Sequence, residues 1–164
     1  MGWRAFPLLL GATFATSVSA ESNEEQAAAL VAEGEQLGKA GKYDQALERF
    51  RRAEALHPRA VHDCYIAIAL ARQKSLTRAR HFLDRCSKRS ESQPPIEWYD
   101  DAYKLLVADM KEHGRVEFIV AADDEDVVAA ARIEVRGFED LAVRSGAALW
   151  LPAGTHRVVV RHDG

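Results

Sequence analysis

From about Glu24 to Glu112 apolar residues recur at helical spacing, as in Leu30, Gly34 and Leu37 and again in Ala46, Leu47, Phe50 and Ala53. Ala, Leu, Glu, Arg and Lys dominate this stretch, all good helix formers, and β signal is nearly absent. The pattern is punctuated. Gly41-Lys42 separates the first helix from the second. His57-Pro58 closes the second, because the residue before a proline avoids the helical region. Lys74-Ser75 divides the third from the fourth, and Ser90 to Pro95 reads as a polar loop. Pro95 suits the first turn of a fifth helix running to about His113, with Gly114 as its stop. Short turns force neighbouring helices antiparallel, so the stretch predicts stacked helical hairpins.

After Gly114 the period changes. Arg115 to Val120 alternates like a strand, and Ala122 to Asp126 reads as an acidic turn. Arg132 to Arg136 is a clean polar/apolar alternation ending at Gly137. Leu141–Val143 and Ala147–Leu151 are short strand candidates, Pro152-Ala153-Gly154 is a turn, and Thr155–Arg161 is a final strand. Several short strands with turn signals predict a small antiparallel β-sandwich. The fold class expected is therefore α+β.

An internal repeat runs through the helical part. Lys42 to Ala53 aligns with Ser75 to Cys86 at an offset of 33 residues. Tyr43 falls on Leu76, Ala46 on Ala79, Phe50 on Leu83 and Ala53 on Cys86. Gly34, Leu37, the Gly41-Lys42-Tyr43 turn, Ala46, Phe50, Ala53 and Pro58 follow the steps of a tetratricopeptide (TPR) unit, and residues 24–113 resemble that repeat family. The second unit keeps Asp63, Ala67 and Leu70 but lacks the closing proline. Two units are few for a stack that buries each face on a neighbour. The fifth helix, with Trp98, Tyr99, Ala102, Leu105, Leu106 and Met110, is expected to cap the open end.

Residues 115–164 resemble a PEGA domain, a small β-module of envelope and surface proteins. The resemblance rests on Arg132-Ile133-Glu134-Val135-Arg136-Gly137 and on the run from Ala148 to Val160, through Leu151, Gly154 and His156. In that family a glycine and an aromatic follow. Here Gly164 is the last residue, so either the gene ends there or the chain is a fragment of a longer protein, which is the reading favoured.

The first 20 residues have another character. Met1 to Arg4 is a short positive start, Ala5 to Thr16 is apolar, and Val18-Ser19-Ala20 offers small side chains before an acidic run. This is the three-part pattern of a secretory signal peptide over residues 1–20, cut after Ala20; the alternative is an uncleaved anchor. No other stretch is apolar enough to span a bilayer. Cleavage removes one Arg and no acid, leaving 21 basic against 25 acidic side chains, a formal charge of -4. The expected address is the periplasm or the cell exterior. There, Cys64 and Cys86, on the two helices of one hairpin, could form a disulfide or stay as two small buried side chains.

Acidic balance and the lack of aromatics on basic stretches argue against nucleic acid. No catalytic constellation, Walker motif or nucleophile elbow occurs, so no enzyme activity or cofactor is expected. His57 and His62 flank a turn without a partner in metal-site spacing. Asp123 to Asp126 lacks the spaced ligands of a calcium loop and reads as a solvated turn. No metal is expected at either place.

What remains is surface. The TPR resemblance implies a groove lined by the first helix of each pair, which the register assigns to Glu35, Lys39, Ile68 and Arg72. The expected function is an exported envelope scaffold that binds protein or peptide segments. The alternatives are an accessory or regulatory region of a longer envelope protein and a glycan-binding module, for which Trp150 reads as core instead.

Overall fold

A computed structural model of the chain describes residues 15–90 and 99–162. Residues 1–14 of the expected signal peptide, residues 91–98, on which most of the expected loop and the expected start of the fifth helix with Pro95, Glu97 and Trp98 fall, and the last two residues lie outside them. The described residues form six helices and four strands. The helices α1 (Ala15–Lys39), α2 (Tyr43–Leu56), α3 (Ala60–Arg72), α4 (Leu76–Ser90) and α5 (Tyr99–Asp109) come first. Then follow β1 (His113–Glu117), α6 (Glu125–Ala130), β2 (Arg132–Val135), β3 (Ala148–Pro152) and β4 (Val158–Arg161). The architecture is helix-rich α+β.

Helices α1 to α4 pack in chain order, each against the next, and α5 lies more lightly against α3 and α4. Small side chains set the spacing. Gly34 on α1 faces the ring of Phe50 on α2 so closely that a methyl group there would overlap it. Phe50 in turn stacks on Tyr65 of α3, with ring centroids 4.9 Å apart. The 33-residue offset is visible as matched burial. Ala46 and Ala79, Phe50 and Leu83, and Ala53 and Cys86 are all buried.

The same offset governs the turns. Gly41 has φ +74° and Lys74 has φ +60°. Lys42 N–H donates to Leu37 O, and Ser75 N–H to Leu70 O, each at 2.9 Å. Both pairs of helices are thus joined by a left-handed residue that satisfies carbonyls of the last turn. Cys64 of α3 and Cys86 of α4 are bonded in a disulfide, with Cα atoms 5.3 Å apart.

The strands form two separate two-stranded antiparallel sheets, β1 with β3 and β2 with β4. Leu149 and Leu151 of β3 and Ile133 and Val135 of β2 point inward by strand alternation, joining Phe118, Leu141 and Val143 in a second core. This core is seated on α4. Thr77 Oγ1 donates to Trp150 O at 2.7 Å. The Arg78 guanidinium grips Asp140 at 2.7 to 3.0 Å and also donates to Gly137 O at 2.7 Å. Phe82 packs against both cores.

Several boundaries differ from expectation. The helix at Glu24 extends back to Ala15, through the expected cleavage point. The fifth helix ends at Asp109, and Gly114 sits inside β1 instead of stopping a helix. Leu141–Val143 makes no strand; Val143 contributes one bridge to Ile133. The final strand is shortened to Val158–Arg161, and His156 Nε2 lies 2.8 Å from Pro152 O. The acidic turn is the start of a helix: the Asp124 side chain accepts from Asp126 N–H and caps α6, for which Val127 to Ala130 supply the rest.

Candidate functional site

A concavity lies between α3 and α5. Ala67 and Ala71, one helical turn apart on α3, offer no bulk beyond a methyl group, so α5 leaves a gap over them. The gap is a half-open hollow of about 530 Å³. Leu83 of α4 and Ile68 of α3 contribute apolar walls, and Leu105 of α5 overhangs it at 67% exposure. Leu106 and Met110 are buried and anchor α5 beside the hollow. Lys74 at the end of α3 pairs with Asp109 at the end of α5 at 2.9 Å, across the rim.

Two of the four expected groove residues meet here. Ile68 and Arg72, one turn apart, both line the hollow. Arg72 is exposed, and among the described residues no carboxylate pairs with it. The other two sit elsewhere. Glu35 accepts a hydrogen bond from the Tyr65 hydroxyl, an internal α1–α3 contact. Burial and the Glu35 carboxylate push the Tyr65 hydroxyl far above its ordinary pKa, so it stays a donor. Lys39 is exposed at the end of α1 and does not line the hollow.

Tyr43, Ala102 and Leu105 were not singled out as lining residues by the repeat register, yet they line the hollow. The apolar spacing of Ala102 and Leu105 on the fifth helix is visible in the sequence, but read as a cap it points to a covered surface.

A second cluster of charge ties α2, α3 and α4 together. Asp63 is fully buried and receives Arg89 at 2.7 Å and Arg85 at 3.2 Å. Burial raises its pKa, and the two arginines only partly oppose that. Burial also raises Glu54, but the neighbouring His62 ring and hydrogen bonds from the Arg59 backbone and Arg89 outweigh it and hold the carboxyl below its usual range. His62 is buried with Nδ1 3.4 Å from Glu54 Oε2, whereas His57 lies at the end of α2. The arginines and carboxylates of the cluster pair with one another, while His62 Nδ1 and Asp63 Oδ1 are buried without a hydrogen bond among the described residues.

Trp150 is only half-buried, beneath Arg80, whose guanidinium lies 4.7 Å from its ring and 4.6 Å from that of Tyr103. No helix among the described residues is long and apolar enough to cross a membrane. The chain matches no protein-family model, no curated protein and no solved structure.

Proposed function

We propose that the protein is an exported cell-envelope adaptor, whose TPR-like helical hairpins hold a segment of a partner protein while its PEGA-like strand unit is carried alongside. The observation that carries this reading is the hollow between α3 and α5, apolar at Ala67, Ala71 and Ile68 and edged by Arg72, which pairs with no carboxylate among the described residues, and by Asp101 and Asp109. Such a site suits an extended segment with an apolar side chain next to an acidic one. The apolar group fills the gap, and the carboxylate meets a guanidinium that can grip it with two hydrogen bonds. The leader pattern over residues 1–20 supplies the export. A glycan-binding reading has less support, because Arg80 covers the ring of Trp150 that would stack on a sugar.

The test is a photo-crosslinking amino acid placed at Leu105 in the exported protein. Discrete adducts with envelope proteins are expected, and Arg72→Glu should remove them. Adducts that persist unchanged in Arg72→Glu, or none at all, would overturn the reading. Recovered protein beginning at Glu21 would support the cleavage site.

A further inference from the structure

Four arginines gather on one face of the β2–β4 ribbon. In an antiparallel ladder, residues directly opposite one another point to the same face. Arg132 stands opposite Arg161 and Glu134 opposite Val159, and the Arg136 N–H bond to Arg157 O carries the ladder one step further. One face therefore carries Arg132, Arg136, Arg157 and Arg161, with Glu134 among them, in a chain of net charge -3. Like charges directly opposite in a ladder are destabilising. Glu134 answers Arg161 at 2.9 Å. Among the described residues no carboxylate pairs with Arg157.

The edge of the ribbon is also open. Ile133 donates its N–H to Val143 O, away from β4. Ile133–Val160 and Val135–Val158 are therefore the non-hydrogen-bonded pairs of the ladder. By that alternation the N–H and C=O groups of Val158 and Val160 face outward, where no described strand meets them. The valines are bare as well: Ile133 and Val135 are buried, while Val158 and Val160 remain 42% and 53% exposed. An unpaired, apolar strand edge is a template for another strand.

We infer that β4 is a docking edge for an extended acidic peptide segment of a partner protein, which adds as a third strand beside Val158–Arg161. Its acidic side chains fall beside Arg157 and Arg161, and its alternate apolar side chains beside Val158 and Val160. Main-chain bonds supply affinity, and the alternating side chains supply selection. A second copy of this chain fits poorly, since antiparallel pairing centred on Val159 sets arginine against arginine at both ends. A single-stranded nucleic acid fits poorly too, as no aromatic stands on this face to stack a base. The inference does not depend on the hollow between α3 and α5.

The experiment titrates the full chain against a labelled, amide-capped peptide of alternating glutamate and valine, read by fluorescence anisotropy. Saturable binding is expected. It should weaken by about tenfold or more for a lysine–valine peptide, for the same glutamate–valine peptide with alternate backbone nitrogens methylated, and for Arg157→Glu. Val160→Pro removes an outward N–H while sparing the β2 ladder, and should weaken it as strongly. The methylated peptide gives the same information should that variant fail to fold. Binding lost in Leu105→Glu but kept in Arg157→Glu would place the peptide in the hollow between α3 and α5 and overturn the inference. No binding, equal binding of the methylated peptide, or equal binding of polyglutamate or anionic phospholipid vesicles would overturn the inference. So would a concentration-dependent dimer that Val160→Pro abolishes.

Discussion

At the scale of single residues, close contacts give the sharpest expectations. Gly34→Ala gains helix propensity but drives a methyl group into Phe50, which is itself pinned by its stack on Tyr65. Overpacking of a filled core costs about 1–3 kcal/mol, against a propensity gain near ~1 kcal/mol. A net loss of stability is expected in denaturant unfolding, and an unchanged midpoint would refute the packing account. His81 gives a pH dependence. Burial, and then the Arg85 charge, hold its pKa below the ordinary 6.5. The unfolded chain therefore takes up the proton first as pH falls. The contribution of His81 is present in full above pH 6.5 and is lost as pH drops through the depressed folded value. In His81→Gln that part of the slope should vanish from melting curves between neutral and mildly acidic pH.

Between elements, two devices hold the helices and strands in place. The disulfide joins α3 to α4 across a sequence separation of 22 residues. Replacing both Cys64 and Cys86 with alanine should cost about 3 kcal/mol, measured as a lower urea midpoint in the oxidised protein's buffer. The second device is the grip of Arg78 on Asp140 and Gly137 O. Arg78→Ala should raise amide exchange in β2 and β3 while leaving α1 and α2 protected, because it loosens a seat and not the helical core. Uniformly faster exchange would mean that the two parts do not separate in this way.

At the scale of the molecule, what was legible followed from local pattern. The five helices and the 33-residue offset could be read because small and large apolar residues alternate at 3.6-residue spacing over long runs. Asp123 to Asp126 was misread because acidic composition suggests a solvated turn, while the cap at Asp124 and the apolar residues after it make a helix start. Leu141–Val143 has strand composition, yet among the described residues it contributes one bridge, from Val143 to Ile133. The hollow was harder still. It depends on where α5 comes to rest over Ala67 and Ala71, a long-range outcome that no window of sequence contains. Register places Ile68 and Arg72 on one face of α3, and both line the hollow; Glu35 is spent on Tyr65, which register cannot foresee.

Helix α4 belongs to both cores: Ala79, Leu83 and Cys86 face the other helices, while Thr77, Arg78 and Phe82 meet the strand unit. It works like the shaft of a two-ended wrench. Objects gripped at either end would be held at a set bearing and distance, so the molecule would act as a gauge between them, unlike beads on a slack cord.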